Sequence, residues 1–216
     1  MKQVRGFSLP DHEEHLVPFL ERGPTFARGP TYQIHKLLAA LPHVKDFRNA
    51  VDVGGHCGLW SRPLSALFNR VHAFEPVVAH RECFKENMRA FEVHNVTLHA
   101  CALGDKMGSI ALHTSPTSSG DTFVREGGEH VSDISMLDNF EFSDVDFIKL
   151  DCEGYELFAL KGGEQTIRKW KPTIIVEQKP GKGSQFGLGD TDAVKLLVGW
   201  GYRQRIAISG DYILTC

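Results

Sequence analysis

Hydrophobic and polar positions follow two periods along this chain, and their alternation predicts its elements. Short apolar runs rich in β-branched residues predict strands, whereas apolar positions three or four residues apart predict helices with one buried face. From residue 49 onward the two patterns alternate. The predicted strands lie at 50–53, 71–74, 96–102, 109–114, 130–135, 146–150, 173–176, 202–208 and 212–214.

Helical patterns occupy the N-terminal part of the chain and most intervals between the strands. In segment 79–91, Phe84, Met88 and Phe91 fall on one side of a helix and predict a buried face. The predicted helices lie at 13–22, 31–41, 59–68, 79–91, 155–160 and 164–170, with a last one that begins at residue 190 or 191 and ends at Gly201.

This order of elements favours an α/β fold. Strands separated by helices run parallel through right-handed crossovers, with helices on both faces of the sheet. Because the last two strands form a hairpin, the final strand runs antiparallel to its neighbour. We therefore predict a doubly wound, mostly parallel, seven-stranded Rossmann-like sheet with an antiparallel C-terminal strand. Ligands of such sheets bind outside the carboxyl ends of the strands.

The 216 residues suffice for one domain, which we expect at 46–216, preceded by a helical or irregular cap segment at 1–45. The acidic and histidine-containing run 11–15 in the cap segment is interpreted as a solvated helix start. A formal net charge of -3 gives no reason to expect binding to nucleic acid or to a membrane surface. The oligomeric state is not indicated by the sequence.

Cysteine usage and the chain start indicate the compartment. The five cysteines are widely spaced and contain no C-x-x-C pair, which is typical of reduced thiols and gives no disulfide framework or zinc site. Residues 1–5 are not followed by the apolar region of a secretory signal. We therefore expect a cytoplasmic protein, and we expect no metal cofactor.

The segment 50–58, Ala-Val-Asp-Val-Gly-Gly-His-Cys-Gly, predicts a buried strand that turns through glycines into a helix. This arrangement brings bare backbone and a helix N-terminus against a small ligand. A dinucleotide-binding G-x-G-x-x-G does not fit, because position 56 is histidine. The spacing D-x-G-x-x-x-G resembles the first motif of class I S-adenosylmethionine (AdoMet)-dependent methyltransferases. We expect the Asp52 carboxylate and the turn backbone at Gly54, Gly55, His56 and Gly58 to hold the methionine part of AdoMet.

Two further strand ends extend this candidate cofactor site. Glu75 closes the second strand, 23 residues after Asp52, where a carboxylate can accept hydrogen bonds from both hydroxyls of a ribose. AdoMet and NAD both carry a ribose, so only the glycine spacing distinguishes them. Ala102 and Leu103 close the third strand and are expected beside the adenine, although a plain strand-to-turn transition explains them equally well.

The carboxylates Asp151, Glu153 and Glu156 follow a central strand together, where a methyl group and a substrate hydroxyl should meet. Mutual repulsion is expected to raise the pKa of at least one of them toward that of a useful general base. Enrichment of acidic residues at a helix N-terminus explains Glu153 and Glu156 adequately and Asp151 less well. A divalent ion held by Asp151 and Glu153 is a less favoured alternative.

Segments spanning about residues 50–180 occur in the order seen in FkbM-type methyltransferases: VDVGGHCGLWS, VHAFEP, CALGD, ISMLDNF, DFIKLDCEGYELFALKGG and KPTIIVEQ. The resemblance implies AdoMet bound at Asp52, Gly54, Gly58 and Glu75 with Ala102 and Leu103 near the base, and a reaction centre at Asp151, Glu153 and Glu156. It also implies O-methylation of a hydroxyl on a sugar or natural-product-type small molecule. One departure is that Gly55 and His56 replace the Ala-Asn of the family's Gly-Ala-Asn-x-Gly.

Three other functions remain alternatives. A nucleic-acid methyltransferase would need a basic groove or stacking aromatic residues where this chain has acids. An NAD-linked oxidoreductase is opposed by the glycine spacing, and a non-catalytic AdoMet-binding module is excluded only by an activity assay. The polar loop 115–130 is a candidate lid, with ordinary loop flexibility as an equal explanation.

Overall fold

The computed structural model describes residues 1–216, which form seven α-helices and fifteen strands. The helices are α1 (Val17–Arg22), α2 (Ile34–Ala40), α3 (Ser61–Ser65), α4 (Val78–Ala90), α5 (Glu156–Lys161), α6 (Glu164–Trp170) and α7 (Asp192–Gly199). The strands are β1 (Lys2–Val4), β2 (Phe7–Leu9), β3 (Thr25–Phe26), β4 (Gly29–Pro30), β5 (Asn49–Val53), β6 (Arg70–Phe74), β7 (Val96–His99), β8 (Ala102–Leu103), β9 (Gly108–His113), β10 (Phe123–Val124), β11 (His130–Ser135), β12 (Val145–Leu150), β13 (Thr173–Glu177), β14 (Arg203–Ile208) and β15 (Asp211–Thr215).

The central sheet has seven strands in the order β14-β15-β13-β12-β5-β6-β7. Strand β15 runs opposite to the other six, so its pairs with β14 and β13 are antiparallel and all remaining adjacent pairs are parallel. All five residues of β5 and of β13 are buried, as expected for central strands covered on both faces. This architecture confirms the predicted fold class. None of the helices combines the length and the apolar character needed to cross a membrane.

Alternating residues of the central strands feed two hydrophobic cores, one on each face of the sheet. On one face Val51 and Ile148 pack in a cluster with side chains of α5, α6 and α7, such as Leu160. On the other face Ala50 and Phe147 belong to a cluster with residues of α2 and α3. The two cores hold the carboxyl ends of the central strands in fixed register.

A second, four-stranded sheet, in the order β10-β9-β11-β8, was not predicted as a separate unit. The strand predicted at 96–102 is in fact two strands, because the chain leaves the edge of the central sheet after His99 and β8 pairs in parallel with β11 instead. The helix predicted at 59–68 is limited to Ser61–Ser65, and the one predicted at 13–22 to Val17–Arg22.

The N-terminal segment contains two hairpins, β1–β2 and β3–β4, that the sequence patterns did not predict. Its second hairpin is fixed by Arg62, whose buried guanidinium donates hydrogen bonds to the carbonyls of Phe26 (2.6 Å), Ala27 (2.8 Å) and Pro30. The guanidinium carbon also lies 5.0 Å from the centroid of the Phe91 ring. One side chain of the central domain therefore satisfies three carbonyls of the N-terminal segment.

Replacing Arg62 by methionine is expected to lower the free energy of unfolding by about 2–4 kcal/mol, because it leaves buried carbonyls without donors. Chemical denaturation measures this change. Arg70→Met is the matched control, since the Arg70 side chain is exposed and makes no hydrogen bond within the protein. Equal stability of the two variants would show that the three carbonyl contacts of Arg62 contribute little.

Candidate active site at the carboxyl edge of the sheet

The carboxyl ends of four parallel strands meet at one edge of the central sheet. Val53 pairs in register with Phe74 and with Leu150, and Leu150 pairs with Val176. The residues that follow these positions, Gly54, Glu75, Asp151 and Glu177, therefore leave the sheet together. Two cavities lie at this edge.

The glycine turn after β5 is shaped by close approach of its neighbours. Gly54 has φ +79°, and a Cβ there would overlap the backbone carbonyl of Asp151. Gly58 has φ +88°, and a Cβ there would lie 2.6 Å from Cε of Met88 on α4. His56 has φ +47°, a left-handed conformation that Asn and His tolerate better than most residues. This backbone requirement accounts for histidine standing where the family pattern has asparagine.

Cavity 1, of about 590 Å³, lies between the second sheet and the ends of β5, β6 and β12. Its walls combine apolar side chains with a few polar groups: Val53, Gly54, His56, Phe74, Glu75, Pro76, His80, Ala102, Leu103, Leu112, Ser119, Gly120, Thr122, Val124, Asp151, Cys152, Glu153 and Tyr155. This set includes five of the eight residues predicted to bind the cofactor and two of the three predicted catalytic carboxylates. This mixture of apolar walls and a few polar groups is typical of a small-molecule site.

Glu75 is held rigidly in the wall of cavity 1. Its Oε2 accepts a hydrogen bond from the backbone N–H of His56, and its Oε1 accepts one from the N–H of Val77, both at 2.8 Å. The Nδ1 atom of His80 lies 3.2 Å from Oε1. These contacts fix the carboxylate plane, and Oε2, which has one partner, retains acceptor capacity for a ligand.

Cavity 2, of about 660 Å³, adjoins cavity 1 and shares Gly54, His56, Gly120, Asp151 and Glu153 with it. Its remaining walls come from the N-terminal segment, the start of α3, the loop after β9 and the ends of β12 and β13: His15, Leu16, Tyr32, Gln33, Gly55, Leu59, Trp60, Ser118, Asp121, Lys149, Glu177 and Lys179. Asp151 and Glu153 therefore lie where the two cavities meet.

Asp52 does not lie on the wall of either cavity. It is 0% exposed, its Oδ2 accepts a hydrogen bond from Oγ of Ser61 (2.6 Å), and its Oδ1 lies 3.6 Å from Nζ of Lys149. Burial raises the pKa of Asp52, and the ammonium group of Lys149 opposes that shift. The direct contact of Asp52 with the cofactor amine stays a prediction, and in this structure the carboxylate bonds to Ser61 and faces Lys149. Gly58 likewise packs against α4 and does not line a cavity.

Glu156 is also outside both cavities, and its place at the reaction centre stays a prediction. Its Oε1 accepts hydrogen bonds from the backbone N–H groups of Cys152 (2.8 Å) and Gly154 (3.1 Å). Burial raises the pKa of Glu156 to about 7. The side chain closes the turn between β12 and α5, and so positions the backbone that carries Asp151 and Glu153.

Sequence reasoning missed four charged residues at this edge: Lys149, Glu177, Lys179 and Lys182. Lys149 lies 3.3 Å from Asp151, Lys179 lies 2.6 Å from Glu177, and Lys182 lies 2.5 Å from Glu153. Asp151, Glu153 and Glu177 thus each have a lysine partner. Lys149 was recognisable, since a residue two positions before Asp151 on a strand faces the same side. Glu177 was recognisable as the polar end of the apolar β13.

These lysines separate the protonation behaviour of the carboxylates. Burial opposes ionisation of Asp151, but the ammonium groups of Lys149 and Lys179 outweigh it, so the pKa of Asp151 lies below its usual value. Burial and the charge of Asp151 raise the pKa of Glu153, and the same two causes, with Glu153, raise the pKa of Glu177 to about 9. Of these three carboxylates, Asp151 is therefore the one whose ionised form its surroundings favour.

Carboxylate oxygens of Asp151, Glu153 and Glu177 lie within 4.8 Å of one another, a spacing that a divalent ion can bridge. The lysine partners compete for the same oxygen atoms, however. A cation would have to displace up to three ammonium groups, so this donor set fits an ion poorly.

The loop predicted at 115–130 lies against both cavities and contains the short strand β10. Ser119 of this loop lines cavity 1, and Ser118 and Asp121 line cavity 2. Nζ of Lys182 donates a hydrogen bond to Oδ1 of Asp121 (3.0 Å).

The strand order, the single antiparallel strand and the cavities at the carboxyl edge together define the class I methyltransferase type of doubly wound fold. The profile of the Methyltransferase FkbM domain matches residues 52–203, and the chain belongs to that family.

Known proteins share sequence or fold with this chain. "Methyltransferase 1" of Beauveria bassiana is 25% identical over 62% of this chain and 65% of its own length. Methyltransferase FkbM from Methylobacillus flagellatus is 21% identical, with a TM-score of 0.55 over 78% of this chain and 43% of that one. A putative methyltransferase from Streptococcus mutans in complex with SAH (S-adenosylhomocysteine) is 11% identical, with a TM-score of 0.53 over 86% of this chain and 97% of that one. This chain spans less than two thirds of the first two relatives.

Proposed function

We propose that this protein is an AdoMet-dependent methyltransferase that methylates a hydroxyl group of a small polar molecule. The observation that carries the proposal is the junction of two cavities at Asp151, at the carboxyl edge of the sheet. Cavity 1 suits an adenosine, because Glu75 offers acceptors to ribose hydroxyls and Ala102 and Leu103 offer apolar walls to the base. Family membership supports the reaction class, and the SAH-bound structural relative supports the cofactor.

When bound, AdoMet supplies a methyl group that is already activated by its sulfonium. The protein's main contribution is then to align the acceptor oxygen with the carbon–sulfur bond. We assign cavity 2 to the acceptor and Asp151 to its hydroxyl, because this carboxylate is ionised and its side chain is 26% exposed. Asp151 would accept the hydroxyl proton as the acceptor oxygen takes the methyl carbon and the bond from that carbon to sulfur breaks, which would leave S-adenosylhomocysteine and the methylated acceptor. Glu153 is the rival base, although it is 8% exposed and paired with Lys182.

Asp52 acts on the reaction indirectly, through Lys149. It neutralises Lys149, whose ammonium donates a hydrogen bond to the carbonyl of Gly54 (3.3 Å) and lies beside Asp151. The motif carboxylate therefore supports the glycine turn and the ionised state of the base from behind.

The walls of cavity 2 favour a small molecule over a nucleic acid. Their two lysines, Lys149 and Lys179, are paired with Asp151 and Glu177, so no free cations face a phosphate backbone. Hydroxyl, amide and charged groups of both signs suit an acceptor rich in hydroxyl groups, such as a sugar or a natural product of that type.

Calorimetry with AdoMet and with NAD tests the proposal, followed by transfer of a labelled methyl group from AdoMet to a panel of sugars and polyhydroxylated natural products. We expect micromolar-range binding of AdoMet, no binding of NAD, and transfer that survives a chelator. Binding of NAD alone would favour an oxidoreductase. Binding of AdoMet without transfer to any acceptor would favour a non-catalytic module.

A further inference from the structure

His56 is the residue by which this chain departs from the family pattern, and its side chain is bound into a network that reaches the N-terminal segment. Its Nε2 lies 2.7 Å from Oγ of Ser119, in the loop after β9. His56 lines both cavities, at the point where the glycine turn meets this loop.

Ser119 is in turn bound by Glu13 of the N-terminal segment. Oε2 of Glu13 accepts hydrogen bonds from the backbone N–H of Ser119 (2.6 Å) and from its hydroxyl (2.5 Å). Oε1 of Glu13 accepts a third from the N–H of Leu16 (2.7 Å). Glu13 and Ser119 are both 0% exposed. A buried carboxylate with three donors is strongly fixed in place.

The donor directions in this network follow from the chemistry of its members. The carboxylate of Glu13 accepts, so the single hydroxyl hydrogen of Ser119 points to Glu13. Oγ of Ser119 must then accept from His56, which places a hydrogen on Nε2 of the imidazole. Burial lowers the pKa of His56 well below its usual value, in agreement with a neutral ring.

The network continues from His56 to the carboxylate assigned to the ribose. The ring of His56 lies edge-on to that of His80, with centroids 4.5 Å apart, and His80 contacts Glu75. The backbone N–H of His56 also donates to Glu75. The position of the N-terminal segment and the geometry of the cofactor site are therefore joined through a continuous set of contacts.

We propose that Glu13, Ser119 and His56 form a closure relay through which the N-terminal segment holds the loop after β9 over cavity 1 and retains the cofactor there. This inference rests on the proposed function, since it takes AdoMet or its product S-adenosylhomocysteine (AdoHcy) as the ligand. Glu13 and Ser119 are positioning residues that act through His56 and the loop. The relay uses a segment that precedes the matched family domain, which begins at residue 52.

Stopped-flow binding of AdoHcy to the full chain tests the relay. Glu13→Gln and Ser119→Ala are each expected to speed AdoHcy dissociation about tenfold, the effect of losing one charge-assisted buried hydrogen bond. His56→Asn, which keeps a residue suited to the left-handed backbone, should behave likewise because its side chain is too short to reach Ser119. The double variant Glu13→Gln with Ser119→Ala should be no faster than either single one, because both act through one network.

The matched control is Glu14→Gln, which removes the same charge from the exposed neighbouring residue. It should leave AdoHcy dissociation unchanged. Hydrogen exchange should show faster exchange at residues 115–122 in the relay variants and not in the control. Dissociation rates equal to that of the unmodified protein in the folded relay variants, or additive effects in the double variant, would overturn the relay. Failure of the unmodified protein to bind AdoHcy would instead overturn the proposed function.

Discussion

Replacing Asp151 by asparagine is expected to lower kcat by about 100-fold or more, the usual contribution of a general base. The dissociation constant of AdoHcy should change by less than about threefold, because asparagine keeps the shape of the side chain and loses only its ability to accept a proton. Steady-state kinetics and calorimetry on the same preparations measure both quantities. A loss confined to turnover is the result expected of a group that contacts the acceptor rather than the cofactor.

Glu153→Gln is the matched comparison, since Glu153 lines the same two cavities and loses the same charge. We expect a smaller loss of turnover, because Glu153 is paired with Lys182 and its pKa is raised by burial and by Asp151. A larger loss in Glu153→Gln than in Asp151→Asn would move the role of base to Glu153. Undiminished turnover in Asp151→Asn would contradict the assignment outright.

Replacing Lys149 by methionine is expected to lower the free energy of unfolding by about 3–5 kcal/mol, the cost of leaving a buried charge without its partner. Asp52 would lose its counter-charge while remaining 0% exposed, and Asp151 would lose the ammonium that lowers its pKa. Chemical denaturation of the variant measures the change. Adding Asp52→Asn should recover a substantial part of it, because the neutral amide no longer needs a cation.

Lys195→Met provides the control for this experiment. Lys195 is also paired with an aspartate, Asp192, at 3.0 Å, but its side chain is 70% exposed and the pair should contribute little. If Lys149→Met were as stable as Lys195→Met, the charge of Lys149 would not be needed to stabilise the buried Asp52 and Asp151 carboxylates. If Asp52→Asn recovered none of the loss, the destabilisation would come from Asp151 or from altered packing.

The sheet and the location of the site could be predicted from sequence because both depend on local patterns. Two central strands were indicated by the β-branched run at 173–176 and by the apolar run at 50–53, and the antiparallel strand was indicated by the final hairpin. In a doubly wound sheet, this topology brings Gly54, Glu75 and Asp151 to one edge without further information.

The details that sequence did not predict depend on contacts between distant segments. The buried contact between Asp52 and Lys149 joins residues that lie 97 positions apart in the chain and pair in register on neighbouring strands. The separation of 96–102 into two strands depends on pairing between β8 and β11. Glu13 resembled a solvated helix residue because its partner, Ser119, lies in a distant loop.

The most direct test of the account is a crystal structure of the protein with AdoHcy. We predict that the ribose hydroxyls bind the Glu75 carboxylate and that the sulfur points toward Asp151 and cavity 2. The adenine should lie in cavity 1, with Ala102 and Leu103 on one side and the opposite wall of the cavity on the other. AdoHcy bound in cavity 2 with its adenosine, or bound without contact to Glu75, would contradict the account.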